Sequence, residues 1–358
     1  MQRGPSLRCG KVRVPGIAIR LQEDILMRPA VSILIPIYNV ERYLRECLDS
    51  VVRQTLREIE IICINDGSTD SCPAILTEYA AKDSRIVVLN KPNSGYGDSM
   101  NQGLRLARGE YIGIVEPDDY IAPAMFEQLY RVADEKHCEL VKSNFYTFRT
   151  SGGNREIQKE FTTGLNELYR KELTQQDVAA YLQSQRGPLA HWSAIYSADF
   201  LNRYSLHYNP TPGASYQDFG FFHKVLFCVR KWYLIPEHTY YYRQDNPNAS
   251  MLSKDKHLCI HQEFRSIRTF LTERGIAEVP LRPILTKLQL EHYFLNYQRV
   301  ATPYKWTVLQ NIRNEFLELE REQKTDYSLL PWFPRFRIRL VLFSPRLFRL
   351  LSRLKNRE

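Results

Sequence analysis

Short apolar runs alternate with stretches of helical spacing along the chain from residue 31. The runs of consecutive apolar residues predict buried strands over 31–35, 59–64, 86–89 and 111–115. Apolar residues at three- and four-residue steps predict helices over 41–54, 71–81, 98–108 and 123–136. Strands that alternate with helices in this way are typical of a parallel sheet built from right-handed βαβ units.

The pattern changes after a predicted surface turn at 151–154. The next segment is mixed and rich in aromatic residues, with one helix expected near 219–229, and residues 255–323 have the spacing of helices with short breaks. The predicted organisation has five parts: a basic extension over 1–30, an α/β domain whose two halves span 31–146 and 147–245, a helical subdomain over 246–330 and a tail over 331–358.

Charge is distributed unevenly over the 358 residues, whose formal net charge is +9. Residues 1–30 carry a net +4 and residues 331–358 a net +7, which leaves −2 for the body between them. A nucleic-acid-binding core would carry a basic face on the folded domain, so the division argues against nucleic acid as a partner. The basic ends remain available to an anionic surface.

The composition excludes two further classes of protein. An apolar fraction of 44% is too high for a disordered chain, and no run approaches the roughly 18 apolar residues of a membrane-spanning helix. Residues 1–28 lack the apolar core of a secretory signal, and we expect the chain before Met27 to be a disordered extension or to precede the natural start. The seven cysteines show no CxxC spacing, which favours unpaired thiols in a reducing cytosol.

The tail combines apolar and basic positions at helical spacing. Its apolar positions are Phe336, Leu340, Phe343, Leu347, Leu350, Leu351 and Leu354, and the neighbouring face carries Arg335, Arg339, Arg346, Arg349, Arg353 and Arg357. Ser344 and Pro345 suit the cap and first turn of a second helix, so two short helices with a bend are expected. The tail predicts either a helix pair lying on an anionic membrane or an ordinary pair packed on the body with a solvated basic face.

Three predicted strand ends carry the candidate chemistry: Pro36-Ile-Tyr-Asn39, Asn65-Asp-Gly-Ser-Thr-Asp70 and Glu116-Pro-Asp-Asp119. Parallel strands open a ligand crevice at their carboxyl ends, and this crevice is acidic. Carboxylates with few other ligands hold Mg²⁺ or Mn²⁺ against substrate phosphates. Neither the GxGxxG fingerprint nor the GK[ST] phosphate loop is present, so a metal-bridged nucleotide diphosphate is the natural interpretation.

The same residues carry a family resemblance. The segments VSILIPIYNVERYLRECLDSVVRQT, INDGSTD and NQGLRLARGEYIGIVEPDDYI resemble the N-terminal half of family 2 glycosyltransferases, in the family's order and spacing. The resemblance covers about 31–146, and Ser215-Tyr-Gln-Asp-Phe-Gly220 is similar to the segment where the family carries its catalytic carboxylate. It implies the GT-A fold, a Rossmann-like, mostly parallel α/β sheet with flanking helices, here with a C-terminal helical subdomain.

The resemblance also implies roles for individual residues. Its nucleotide-binding set is Pro36, Tyr38 and Asn39 around the nucleobase, Asp66 on the base edge, and Lys91 and Asn101 nearby. Asp118 would bind the metal, with Asp119 as a second member of that site. Glu116 stands where the family more often has Asp, and whether it binds the metal or reaches the ribose stays open. Position 100 is Met where the family more often has Arg, and Lys91 is the candidate to replace that contact.

The implied reaction is a single displacement with inversion, in which Asp218 is the general base. Capping is the other interpretation of Asp218 and Asp66, and it is preferred for Asp70. His191, His223 and His238 lack ligand spacing and are interpreted as structural or exposed. Trp192 and Tyr240–Tyr242 suit either a sugar-stacking wall or the core.

These expectations describe an inverting, metal-dependent glycosyltransferase that moves a sugar from a nucleotide-diphosphate donor to a saccharide or lipid-linked acceptor. By analogy with the family, it would build a surface polysaccharide from the cytoplasm, at the inner face of the plasma membrane. Two alternatives remain at this point. One is a non-catalytic protein of the same fold that docks at membranes, and the other is a sugar nucleotidyltransferase. A sugar nucleotidyltransferase would have a Gly-rich basic loop after the first strand, and the segment Pro36–Asn39 is not such a loop.

Overall fold

A computed structural model describes residues 28–152, 154–185, 190–249 and 256–355. Its strands are β1 (Val31–Ile37), β2 (Ile59–Asp66), β3 (Ile86–Lys91), β4 (Tyr111–Ile114), β5 (Tyr120–Ile121), β6 (Leu140–Ser151), β7 (Asn154–Glu160), β8 (Glu172–Leu173), β9 (Ala194–Ser197) and β10 (Trp232–Arg243). Its helices are α1 (Glu41–Val52), α2 (Cys72–Lys82), α3 (Tyr96–Leu106), α4 (Met125–Lys136), α5 (Val178–Ser184), α6 (Ala198–Tyr204), α7 (Gln217–Cys228), α8 (Cys259–Glu273), α9 (Arg282–Arg299), α10 (Lys305–Arg321), α11 (Trp332–Phe343) and α12 (Pro345–Lys355).

The strands form one mixed, mostly parallel sheet in the order β3-β2-β1-β4-β9-β6-β10-β5, with β7 beside β6 and β8 beside β10. The first four pair in parallel, β9 runs antiparallel between β4 and β6, and β6 and β10 are parallel. The carboxyl ends of β1, β2 and β4 therefore meet at one edge. The predicted mostly parallel α/β sheet with flanking helices is confirmed.

The strands at the centre of the sheet are continuous apolar runs because they are buried on both faces. Every residue of β1 and β2 is buried, because helices cover both faces of the sheet. Amphipathic helices such as α1 bury one stripe, here Leu44, Cys47, Leu48 and Val51. Residues buried in the core extend without interruption from β1 to Phe348 of α12, so the C-terminal helices pack onto the same core.

The predicted element boundaries differ from the observed ones by a few residues. Helix α3 begins at Tyr96 rather than Asp98, and β1 continues through Pro36 to Ile37. The prediction of two tail helices is confirmed, and Ser344 caps the second because its hydroxyl accepts the backbone N–H of Leu347 at 3.2 Å. The predicted extension over 1–26 and the side chains of Arg353, Leu354 and Arg357 lie outside the described residues.

Within the described ranges, no helix is both long and apolar enough to cross a membrane. The six cysteines of the described part are unpaired, and five of them are buried. These thiols are small core residues, with burial raising the pKa of Cys63 and Cys72 to about 12.

Candidate active site

A cavity of about 750 Å³ lies at the carboxyl edge of the sheet. It brings together segments that are far apart in the chain: the end of β1, the 116–118 turn after β4, residues 191–192 before β9, the start of α7 and the segment after β10. Six of the residues proposed from sequence line it: Pro36, Tyr38, Asn39, Glu116, Asp118 and Asp218. Four do not, namely Asp66, Lys91, Asn101 and Asp119.

The β1 side of the cavity is shaped by two polar side chains. Asn39 adopts a left-handed conformation with φ of 49°, and its Oδ1 accepts the backbone N–H of Thr69 at 2.8 Å. The Asp70 carboxylate accepts the backbone N–H of Glu41 at 2.9 Å and that of Cys72 at 3.0 Å. These are the first residues of α1 and α2. The bond to Cys72 caps α2, as the capping interpretation expected, and the bond to Glu41 caps α1 in addition.

Asp66 and Lys91 lie beside the cavity and organise the loop before α3. The buried Asp66 carboxylate accepts the backbone N–H groups of Ser94 and Gly95, both at 2.9 Å, and pairs with the Lys91 ammonium. Asn101 joins α3 to the segment before α7 through two hydrogen bonds of 2.9 Å. Its amide NH₂ donates to the Tyr208 carbonyl, and its amide oxygen accepts the Tyr208 backbone N–H. In this structure these three side chains therefore position cavity-lining elements.

The 116–119 turn places its three acids in different surroundings. The Glu116 carboxylate accepts a hydrogen bond of 2.7 Å from the Tyr96 hydroxyl, and burial raises its pKa to about 8. Asp118 Oδ2 accepts from the amide of Asn246 at 2.7 Å. Asp119 is only 1% exposed and accepts from the Tyr240 hydroxyl at 2.8 Å, so it faces the sheet rather than the cavity.

Arg243 connects this turn to β10, although nothing in the sequence singled it out. Its Nε donates to the Asp118 carbonyl and its backbone N–H to the Asp119 carboxylate, both at 2.7 Å. The guanidinium also donates to Glu46 of α1 at 2.5 Å and lies 4.4 Å from the Tyr43 ring centroid. The aromatic-then-arginine ending of β10 is a weak signal, because its partners lie more than a hundred residues away.

Asp218 stands in the first turn of α7, half-buried in the cavity wall. Burial raises the pKa of its carboxyl above the ordinary value of 3.8. The preceding residue, Gln217, is fully buried, and its amide donates to Thr211 Oγ1 at 2.8 Å and accepts from the backbone of Ser215. The loop that leads to Asp218 is therefore held by the side chain of the adjacent residue.

A close approach of α3 further secures that loop. The backbone N–H of Tyr96 donates to the Gly213 carbonyl at 2.9 Å. A Cβ at Gly97 would lie 1.9 Å from the Asn209 carbonyl oxygen, so only glycine fits there. The helix beside the acidic turn and the loop before Asp218 are thus packed backbone to backbone, which fixes the relative positions of the two halves of the cavity.

His191 and Trp192 are neighbouring residues in the cavity wall. His191, interpreted from the sequence as structural or exposed, is 1% exposed and lines the cavity. Trp192 stacks on Tyr240 with a centroid distance of 4.0 Å and also lines the cavity, so it serves both the core and the wall. The backbone is anchored because the His191 carbonyl accepts the Tyr196 hydroxyl.

The described residues contain no cluster of three or more His, Cys, Asp or Glu side chains arranged to hold a metal ion. The cavity nevertheless has five carboxyl groups, from Glu41, Asp70, Glu116, Asp118 and Asp218, against the two guanidinium groups of Arg42 and Arg243. Such a lining repels a bare diphosphate. A Mg²⁺ or Mn²⁺ ion held by one carboxylate, with phosphate and water oxygens as its other ligands, fits this donor set.

Comparisons with known proteins agree with this geometry. The family model described as "Glycosyl transferase family 2" matches residues 32–204. The uncharacterized glycosyltransferase EpsJ of Bacillus subtilis is 32% identical over 70% of this chain and 72% of its own length. Glycosyltransferase GlyG of Streptococcus pneumoniae is 32% identical over 61% of this chain and 72% of its own length.

The fold is shared with TarS 1–349 of S. aureus, whose crystal structure was solved in complex with UDP-GlcNAc. The TM-score is 0.68, with 19% identity over 88% of this chain and 91% of that one. An acidic crevice at the end of a mostly parallel sheet and the extent of the match to EpsJ define the class of protein. The chain belongs to glycosyl transferase family 2 and is a glycosyltransferase with the GT-A fold.

Proposed function

We propose that this chain transfers a sugar from a nucleotide-diphosphate sugar to a hydroxyl of a saccharide or lipid-linked acceptor, with inversion at the anomeric carbon. The observation that carries the proposal is that Asp118 and Asp218 line one cavity although they lie a hundred residues apart. A direct displacement needs one carboxylate that can hold a cation against the departing diphosphate and one base for the attacking hydroxyl, on opposite faces of the sugar.

Asp218 is the base of the proposed reaction. It accepts the proton of the acceptor hydroxyl while the oxygen attacks the anomeric carbon, and no covalent intermediate with the protein is required. A carboxylate whose pKa is raised by burial is a stronger base than one in water, which suits this role. Hydrogen bonds from Arg243 and Asn246 to Asp118 and Asp119 hold the 116–119 turn in the wall of the cavity that Asp218 also lines.

Asp118 is the residue that would hold Mg²⁺ or Mn²⁺, with Asp119 behind it in support of the turn. When bound, the metal would act as a Lewis acid on the diphosphate oxygens and offset their charge. The chain supplies the rest of the binding site. Tyr38 and Asn39, which follow β1, offer a surface for the nucleobase. Asp66 would reach the edge of the base only if the Ser94–Gly95 loop shifted.

The acceptor half of the cavity is lined by aromatic side chains. Trp192, Tyr216 and Tyr242 line the same cavity as Asp218, and such rings suit the apolar faces of sugars. This favours a saccharide acceptor, and the tail described below favours one attached to lipid.

A thermal-shift and turnover panel of nucleotide sugars with Mn²⁺ tests the proposed function. UDP-GlcNAc is the first candidate, because TarS shares the fold and was solved with it. We expect one nucleotide sugar to raise the unfolding temperature and to be consumed when a saccharide acceptor is added. Binding without turnover across a broad acceptor set would instead indicate a non-catalytic protein. Pyrophosphate release from a nucleoside triphosphate and a sugar phosphate would indicate a nucleotidyltransferase.

We also propose that α11 and α12 place the enzyme on an anionic membrane surface. One side of the pair packs on the core through Ile338, Val341, Leu342 and Phe348. The other side leaves large apolar residues exposed, including Trp332 at 76% and Phe343 at 81%. A packed helix with only a solvated basic face would not expose such residues, whereas an interfacial helix needs both arginines and aromatic side chains.

The membrane proposal predicts selective binding to anionic vesicles. We expect the full chain to sediment with phosphatidylglycerol vesicles and far less with phosphatidylcholine vesicles. Changing Trp332 and Phe343 together to Ser should lower the bound fraction at least about fivefold, because both side chains would insert at the interface. Val279→Ser, which alters a 63% exposed apolar residue outside the tail, is the matched control. An equal bound fraction for the double variant and the control would contradict the proposal.

A further inference from the structure

The arginines of the two tail helices are used differently. Those of α11 are all engaged within the protein: Arg335 Nε donates to the Leu330 carbonyl at 2.7 Å, the Arg337 guanidinium lies 3.9 Å from the Phe294 ring centroid, and Arg339 lies 3.5 Å from the Glu320 carboxylate. Arg346 and Arg349 of α12 have no carboxylate partner among the described residues. The charge of these two side chains is therefore available to a ligand.

Arg346 and Arg349 line a cavity of about 410 Å³ between α12 and α10. They are three positions apart on α12, so both lie on one face of the helix. The other lining residues are Trp306 of α10 and Leu350. The Arg349 guanidinium lies 6.0 Å from the centroid of the Trp306 ring. The cavity thus combines two guanidinium groups with an indole ring and a leucine side chain.

The chemistry of this lining favours a phosphate group carried on an apolar molecule. Guanidinium groups match phosphate oxygens in geometry as well as in charge. The segment 327–357 contains eight Lys and Arg residues and no Asp or Glu, so no carboxylate within it competes for the two arginines. An indole ring and a leucine side chain add little for a free phosphate ion, whereas they suit the glycerol and acyl carbons of a phospholipid.

The surroundings of the cavity suit the level of lipid headgroups. Leu350 in its lining is exposed, and so are Leu347 and Phe343 nearby in the chain. An interfacial helix buries such side chains at the boundary between headgroups and acyl chains, and tryptophan is enriched at the same depth. Arg346 and Arg349 would then lie among the phosphates, while the neighbouring leucines enter the acyl region.

We propose that the cavity between α10 and α12 binds the phosphodiester headgroup of an anionic phospholipid. Arg346 and Arg349 would contact the phosphate oxygens, and Trp306 and Leu350 would pack against the glycerol and the first acyl methylenes. This inference rests on the proposed membrane association of α11 and α12. It goes beyond that association because it assigns the preference for anionic lipid to one site and not to the overall charge of the tail.

The test compares two double variants that remove the same charge from the tail. General attraction to an anionic membrane acts on every tail arginine alike, so it would weaken Arg346→Gln/Arg349→Gln and Arg335→Gln/Arg339→Gln by the same factor. We expect the α12 variant to lose at least about tenfold more affinity for phosphatidylglycerol vesicles than the α11 control. Trp306→Ala, which changes no charge, should weaken the same binding about fivefold. Thermal unfolding checks that all three variants remain folded.

The outcomes separate this site from the membrane proposal. Equal losses in the two double variants would show that only the overall charge of the tail acts, and would overturn the headgroup site alone. A wild-type chain that does not bind phosphatidylglycerol vesicles would overturn the membrane association as well. Inorganic phosphate at about 10 mM and constant ionic strength should leave vesicle binding unchanged within about twofold. Displacement of the vesicles by that phosphate would indicate a site for the free ion and would overturn the assignment to lipid.

Discussion

Replacement of Asp218 by asparagine is expected to lower the rate constant for sugar transfer by about 10²–10⁴-fold, the usual contribution of a general base. The amide is nearly isosteric with the carboxylate but cannot take the acceptor proton. Because Asp218 acts on the acceptor, the Kd for the donor should change by no more than a few-fold. Single-turnover transfer and calorimetric binding of the donor measure the two effects separately.

The chain offers a matched control for that variant. Asp199 holds the equivalent second position of α6 and is exposed outside the cavity. Asp199→Asn therefore removes the same charge from a helix N-terminus without touching the site, and transfer should stay within about twofold of wild type. Transfer by Asp218→Asn at the rate of this control would remove Asp218 as the base.

The raised pKa of Asp218 gives the same prediction a pH dependence. A base works only when it is deprotonated, so activity should fall as the pH decreases through its pKa. Because burial raises that pKa above 3.8, the acid limb of kcat/KM should lie at a higher pH than for an exposed aspartate. An acid limb that persists unchanged in the residual activity of Asp218→Asn would assign it to another group.

Replacement of Asp118 by asparagine should lower transfer by about 10³-fold and raise the Mn²⁺ concentration needed for half-maximal activity. A neutral amide is a poor ligand for a hard divalent cation, while the hydrogen bond from Asn246 can still be made to its oxygen. The measurement is transfer rate against Mn²⁺ concentration, with wild-type activity in EDTA as the reference. Full wild-type activity in EDTA would contradict the proposed role of the metal.

Asp119→Asn separates metal binding from support of the turn. Asp119 is buried and bonded to Tyr240 and to the Arg243 backbone, so this change should lower the free energy of unfolding by about 1–3 kcal/mol. The Mn²⁺ concentration for half-maximal activity should stay near the wild-type value. A large increase in that concentration would instead place Asp119 among the metal ligands.

The sequence was most informative where the physics is local. The strands β1 to β4 and the helices between them follow from apolar runs and helical spacing, because burial on one or both faces imposes those periods directly. Asp70 and Ser344 were identified as caps because a cap bonds to residues two or three positions away. The strand-end acids were found because parallel strands place their carboxyl ends at one edge.

Contacts between segments that are distant in the chain cannot be predicted from local patterns. No local pattern pairs Arg243 with Asp118, or Tyr96 with His191, because about a hundred residues separate the members of each pair. Four of the ten proposed site residues lie outside the cavity and instead hold the elements that shape it: Asp66, Lys91, Asn101 and Asp119. Their polar groups could bind a ligand, but in the folded chain these groups already form hydrogen bonds or ion pairs within the protein.

The sequence by itself determined the family, the mostly parallel sheet and the acidic edge, because these depend on local patterns of burial and on residues adjacent in the chain. Only the tertiary structure decided which acids face the cavity, which cations are already paired, and that His191 lines the same cavity as Asp118 and Asp218. Those outcomes depend on how β9, α7 and β10 pack against the first four strands. Packing determines both the direction in which a side chain points and how far it is removed from water, and removal from water changes its pKa.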